Sequence, residues 1–211
     1  MKSLPTDITI KQFDLLALVA DYKRRGLPTL MSRIATDLHL ADEGSVRIRL
    51  RPLLDNGYLT KDSQERTFTN LDLTPKGRLL VGWGVPLLGS IPAGPLTEAI
   101  QDAEEVIDVP LELMPWQPGD FFLRVKGDSM IGDGILDGDK VLLRPGASLR
   151  PGEIAAVQVG DEYRATLKHV HYKSGGKVVT LRASNPKFKE IVAPAATVEI
   201  VGAYRGLVRG H

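Results

Sequence analysis

The period of the hydrophobic residues changes once along the chain, and this change limits the possible folds more than any other feature. Up to about residue 56, apolar residues recur at the three- and four-residue spacing of amphipathic helices. From residue 121 onward, short β-branched runs alternate with Gly, Pro and Asp turns. The sequence therefore predicts an α+β chain. Its expected parts are an N-terminal domain over 1–80, a linker over 81–96 and a mostly β C-terminal domain over 97–211.

Composition excludes several classes of protein. The chain has 211 residues, of which 43% are hydrophobic and 25% charged, the balance of a globular protein with a real core. It contains no cysteine, which excludes disulfides, thiolate metal sites and cysteine nucleophiles. No basic segment followed by an apolar one opens the chain, so we expect no signal peptide and a cytoplasmic protein.

One uncharged stretch, residues 79–97, is about as long as a membrane span. It holds three prolines and four glycines, which would leave backbone groups of a helix unpaired in lipid. The stretch is therefore interpreted as a linker, and no membrane partner is expected.

The N-terminal region predicts a winged helix-turn-helix. Helices are expected over 9–25 and 30–38, and a third helix should end at Asn56-Gly57, a good left-handed cap. A β-hairpin should follow, with strands at 58–60 and 67–69. The third helix of such a domain fits the major groove of DNA, although helix-turn-helix domains also bind proteins.

The third helix carries the candidate DNA contacts. Its core face is Val46, Leu50, Leu53 and Leu54. The opposite face and its flanks supply the predicted contact residues, which are Ser45, Arg47, Ile48, Arg49 and Arg51. An ordinary solvated helix face is the alternative interpretation. Pro52 should remove one backbone hydrogen bond and kink this helix.

The second half predicts at least five strands, over 121–125, 140–144, 154–159, 178–183 and 198–209. Little in it indicates a metal or a cofactor. His169 and His171 share one face of a predicted strand, but no cysteine or suitably spaced carboxylate accompanies them. The aspartates of the segment 132–139 miss the spacing of a calcium loop. We therefore expect neither a metal site nor a cofactor.

A serine nucleophile can be activated by a neutral lysine. Lys168 lies on the same face of its predicted strand as Thr166 and Val170, where loss of water would lower its pKa. Ser129 lies in the turn-like segment Gly-Asp-Ser-Met. Taken singly, the two residues are interpreted as a turn serine and a solvent-facing lysine.

Three segments in order change that interpretation. They read VPLLGSIPAGPL from residue 85, FLRVKGDSM from residue 122 and ATLK from residue 165. Together they resemble the LexA repressor family, whose members cut themselves with a Ser/Lys pair. The first 60 residues also resemble the family's N-terminal domain, around Leu27-Pro28-Thr29 and Ile34-Ala35.

The resemblance implies that Ser129 is the nucleophile, Lys168 the general base and Ala93–Gly94 the cleaved bond. Backbone N–H groups of Ser129 and Met130 would then stabilise the oxyanion. It also implies a nucleoid-associated homodimer on double-stranded operator DNA that represses DNA-damage (SOS) genes. A RecA–single-stranded-DNA filament would stimulate cleavage.

Two features depart from the family pattern. Pro92 and Pro95 flank the expected bond, and the segment 62–78 is longer than a minimal wing. Two other functions stay open at this point. One is a winged-helix regulator whose β domain binds a ligand or partner while the Ser/Lys pair is dormant, and the other is a signal-peptidase-like enzyme acting on other proteins.

Overall fold

A computed structural model describes residues 4–61, 70–89, 99–100, 103, 105–110, 113–160 and 165–210, apart from the side chain of Ser174. The chain divides into two compact units, Met1–Gly84 and Val85–His211. Within the described ranges, no helix is both long and apolar enough to cross a membrane.

The described part of the first unit consists of four helices and a pair of short strands. Its elements are α1 (Ile10–Arg24), α2 (Met31–Asp37), α3 (Glu43–Asp55), β1 (Leu59–Lys61), β2 (Leu71–Leu73) and α4 (Pro75–Leu80). Capping explains where two helices begin: Thr9 and Gln12 form a capping box at α1, and Asp42 accepts a hydrogen bond from the Ser45 N–H at α3. β1 and β2 pair antiparallel.

The predicted core face of the third helix is confirmed. Val46, Leu50 and Leu53 are fully buried, and Leu54 is partly buried against the same cluster. Pro52 does not end the helix, which continues through it to Asp55. The predicted strand at 67–69 lies outside the described residues, and the described partner of β1 is Leu71–Leu73.

Among its described residues, the second unit is built on one sheet of nine strands. Its strands are β3 (Val85–Leu88), β4 (Glu105–Ile107), β5 (Phe121–Arg124), β6 (Lys140–Arg144), β7 (Ile154–Val159), β8 (Thr166–Lys173), β9 (Val178–Arg182), β10 (Ile191–Pro194) and β11 (Val198–Val208). The spatial order is β10-β9-β8-β7-β11-β6-β5-β3-β4. β11 joins the two halves, because its first part pairs with β7 and its last part with β6.

The structure differs from the expected linker over 81–96. Val85–Leu88 is β3, which pairs antiparallel with β4 and parallel with β5. Residues 90–98 lie outside the described ranges. The Pro- and Gly-rich composition of the stretch concealed a strand of four residues, whose side chains are all buried. The expected linker was therefore wrong for this segment.

Two ion pairs hold the ends of the central strands. Arg144 of β6 contacts the buried carboxylate of Asp120, with 2.7 Å between its Nη2 and Oδ2. Arg209, just after β11, holds the buried carboxylate of Asp139 at 2.7 Å and also donates to the Gly134 carbonyl. Hydrogen bonding from Arg209 lowers the pKa of Asp139. Arg209 thereby ties the end of the chain to the segment that follows Ser129.

Candidate active site

Ser129 lies in a tight connection between β5 and the short 3₁₀ helix Ile131–Asp133. Backbone hydrogen bonds between Val125 and both Gly138 and Asp139 close the base of this loop. Met130, the next residue, is buried and anchors the loop in the core, whereas Ser129 is only partly buried. Ser129 is therefore partly accessible on a loop that backbone hydrogen bonds and the buried Met130 hold in place.

Lys168 lies on β8, where strand alternation places it on one face with Thr166 and Val170, as predicted. The residue directly opposite on β7 is Ala155, which is fully buried and small. Lys168 is only 5% exposed. Burial therefore lowers the pKa of Lys168 below the ordinary lysine value of 10.5, because an ammonium group loses hydration there.

The structure brings Lys168 and Ser129 together. The Nζ atom of Lys168 lies 3.0 Å from Oγ of Ser129, 2.7 Å from Oγ1 of Thr166 and 2.9 Å from the Leu167 carbonyl oxygen. No carboxylate forms an ion pair with this amine in the described part of the chain. A neutral amine has two N–H groups and one lone pair. Donation to Thr166 and Leu167 leaves that lone pair for the Ser129 hydroxyl.

The backbone carbonyl groups of Ser129 and Met130 both accept hydrogen bonds. The Ser129 carbonyl accepts from the Asn185 N–H at 3.0 Å, and the Met130 carbonyl accepts from Asp133 and Ile135. The N–H groups of Ser129 and Met130 donate to no group within the described residues. These are the two donors expected to stabilise an oxyanion, and both are available.

Asn185 was not singled out from the sequence, yet it holds the Ser129 loop in place. It is buried, and its Nδ2 donates to the carbonyl oxygen of Asp128 at 3.1 Å and to Oδ2 of that residue at 3.2 Å. A Cβ at Gly132 would lie 2.5 Å from the Ser184 carbonyl oxygen, so only glycine permits this close approach. The segment Ser184-Asn185-Pro186 was the available sequence signal, because such residues favour turns.

His169 and the aspartates of the segment 132–139 are engaged by groups within the protein. His169 places Nδ1 2.8 Å from the Gly152 carbonyl oxygen and Nε2 2.9 Å from Oδ2 of Asp133. Asp137 accepts from the Gly127 N–H at 2.6 Å, as a turn residue does. The described residues contain no group of three His, Asp or Glu side chains that could hold a metal ion.

The predicted DNA contacts lie along α3. Arg47, Ile48 and Arg51 are exposed, Ile48 at 77% of its surface, whereas Ser45 and Arg49 are partly buried. Arg47 and Arg51 also line an open groove between α3 and β1, together with Leu54, Asp55, Leu59, Thr60 and Lys61.

The expected cleavage residues, Ala93 and Gly94, lie outside the described residues. Their position relative to Ser129 therefore stays a prediction.

Comparison with known proteins identifies the family. Residues 86–205 match the Peptidase S24-like family. The chain is 36% identical to the LexA repressor of Deinococcus radiodurans over 152 residues, or 72% of this chain and 70% of that protein. It is 35% identical to the LexA repressor of Leptospira interrogans over 204 residues, or 94% of this chain and 98% of that protein. The LexA repressor of Pseudothermotoga lettingae is 31% identical over 204 residues, or 96% and 97% of the two chains. The chain belongs to the LexA repressor family and carries a Peptidase S24-like domain.

Proposed function

We propose that this protein is a transcriptional repressor that binds operator DNA as a homodimer and inactivates itself by cutting its own Ala93–Gly94 bond. The observation that carries the proposal is the buried amine of Lys168, 3.0 Å from the Ser129 hydroxyl with no ion-pair partner among the described residues. The repressor names of the relatives and the match to the Peptidase S24-like family support the same conclusion.

In the proposed reaction, neutral Lys168 accepts the proton of the Ser129 hydroxyl as Oγ attacks the carbonyl carbon of Ala93. The carbonyl oxygen becomes negatively charged and accepts hydrogen bonds from the N–H groups of Ser129 and Met130. Collapse of this intermediate breaks the bond to Gly94, whose nitrogen takes the proton from Lys168. An acyl-enzyme forms between Ser129 and Ala93.

Water completes the reaction. Lys168, neutral again, accepts a proton from a water molecule that attacks the same carbonyl carbon. The Ser129 oxygen then leaves as the bond to Ala93 breaks, and it takes this proton from Lys168. Thr166 and the Leu167 carbonyl orient the amine throughout, since both lie within hydrogen-bond distance of Nζ. The chain supplies nucleophile, base and oxyanion donors from its own residues.

The regulatory effect of the cut follows from avidity. Two DNA-binding units joined through a dimer bind a two-part operator more tightly than one unit does, commonly by about 10²–10⁴-fold. We propose that the first unit is a winged helix-turn-helix and that α3 enters the major groove. As the family resemblance implies, a RecA–single-stranded-DNA filament would stimulate the cut, and the repressed genes would be those of the DNA-damage (SOS) response.

The cleavage chemistry predicts a specific dependence on pH. Because only the neutral amine of Lys168 accepts a proton, the rate of self-cleavage should rise with pH and level off above the pKa of that amine. The midpoint should lie below 10.5, since burial lowers this pKa. Gel analysis of the purified protein across a pH series measures the rate and should show fragments 1–93 and 94–211.

Three variants control this experiment. Ser129→Ala and Lys168→Ala should leave the chain whole at every pH, whereas Lys173→Ala, an exposed lysine of the same strand, should cut at the normal rate. Fragments that appear equally in Ser129→Ala would contradict the proposed nucleophile.

The hydrogen bonds of Asn185 predict a positioning role for this residue. Asn185→Ala should lower the plateau rate of cleavage by about 10–100-fold, because small displacements of a nucleophile are costly. The pH midpoint should stay unchanged, since Lys168 sets it. Lys187→Ala is the matched control, because it removes an exposed side chain and keeps the backbone N–H that bonds to Asn185. A shifted midpoint with an unchanged plateau would contradict this role.

The exposed face of α3 predicts which arginines bind DNA. Arg51→Ala should weaken binding to a selected operator by about 1–3 kcal/mol if Arg51 contacts a base, and should relax the preference at that base pair. Arg25→Ala is the matched control, because Arg25 is also exposed and paired with an aspartate four residues away, but on α1. Equal losses in both variants, measured by titration and footprinting, would contradict base reading by α3.

A further inference from the structure

We propose that β3 stays in the sheet after the cut, so that fragment 1–93 remains bound to fragment 94–211 and inactivation requires a second step, the withdrawal of this strand. The inference rests on the proposed function for the position of the cut. It concerns the described residues on the N-terminal side of that position.

The topology places β3 between two strands of the other fragment. β3 pairs antiparallel with β4, through Val85 opposite Ile107 and Leu87 opposite Glu105. On its other edge it pairs parallel with β5, through Leu87 opposite Phe122. Both partner strands follow residue 94 in the chain. A cut at Ala93–Gly94 therefore leaves an interior strand of the sheet on the N-terminal fragment.

The side chains of β3 belong to the core of the second unit. Val85 is 1% exposed and Leu87 7% exposed, and both belong to an apolar cluster formed with Val109, Met114, Phe122 and Leu142. Leu88 is also buried. Withdrawal of β3 would expose this cluster to water and leave unpaired edges on β4 and β5. These contacts do not require a continuous chain between residues 93 and 94.

The boundary between the two units determines what remains attached. The first unit ends at Gly84 and the second begins at Val85, the first residue of β3. The proposed cut lies on the far side of β3 from this boundary. After the cut, the first unit is still joined covalently to β3, and β3 is held in the sheet as an added strand is held in other proteins. The two fragments would then form a non-covalent complex.

In this arrangement, cleavage of the chain and dissociation of the two fragments are separate steps. While β3 is in place, the two DNA-binding units of a dimer stay linked and keep their avidity. Loss of operator binding should therefore lag behind cleavage.

The test uses a chain that cannot cut itself. In a Ser129→Ala background, a recognition sequence for a site-specific protease is inserted between Ala93 and Gly94. A matched control carries the same sequence between Gly84 and Val85. Both are cut at micromolar concentration and passed through a native size-exclusion column. We expect the fragments of the first protein to elute together and those of the control to separate.

A Leu87→Ala version of the first protein tests whether the strand causes the association. Its folding before the cut is checked by thermal melting of the whole chain. After the cut, its fragments should separate at least tenfold faster than those of the parent, because Leu87 contributes to the apolar cluster. Separation of the parent fragments immediately after the cut would overturn the proposal. Co-elution of the control fragments would also overturn it, since association would not then require β3. Because the added protease makes the cut, a failure of self-cleavage leaves this result unaffected.

Discussion

The proposed site depends on one energetically unfavourable placement, the amine of Lys168 among buried apolar residues such as Ala155 and Val170. An ammonium group at this position has no ion-pair partner in the described part of the chain and little water, so the pKa of the amine is lowered and the balance shifts towards its neutral form. Thr166 and the Leu167 carbonyl satisfy two N–H groups of that neutral form. The Ser129 Oγ atom lies 3.0 Å from the same nitrogen, within reach of the remaining lone pair of a neutral amine. In the proposed function, the cost of burying Lys168 is thus what would make it a suitable base.

The contact between Lys168 and Ser129 depends on a loop that residues from several parts of the second unit hold in place. Lys168 is held by β8, in the middle of one half of the sheet, and Ser129 lies on a loop from the other half. Asn185 binds this loop from the connection after β9, and Arg209 binds it from the end of β11. Two residues far apart in sequence, Asn185 and Arg209, therefore hold the loop on which Ser129 Oγ lies 3.0 Å from Nζ of Lys168.

Much of this fold could be predicted from local sequence patterns, and the predictions that failed did so for physical reasons. β6 and β7 were predicted at their observed bounds, because runs of β-branched residues between Gly and Pro turns are strong signals. β4 and β3 were missed because strands of three or four residues give too short a pattern, and Pro86 in β3 favoured a linker. Strand alternation predicted the face on which Lys168 lies, but the family resemblance was needed to pair it with Ser129. The segment around Asn185 indicates a turn, but the role of this residue could not be predicted, because it arises from a contact across 57 residues.

The proposed chemistry depends above all on the lowered pKa of the Lys168 amine, and this pKa can be measured directly. In the Ser129→Ala chain, which should stay whole, the side-chain ¹³Cε resonance of Lys168 is followed by NMR as the pH is raised. Lys168→Ala identifies the resonance. We expect Lys168 to titrate clearly below the ordinary lysine value of 10.5. A resonance that titrates at or above 10.5 would contradict the proposed role, because burial would then not favour the neutral amine that the chemistry requires.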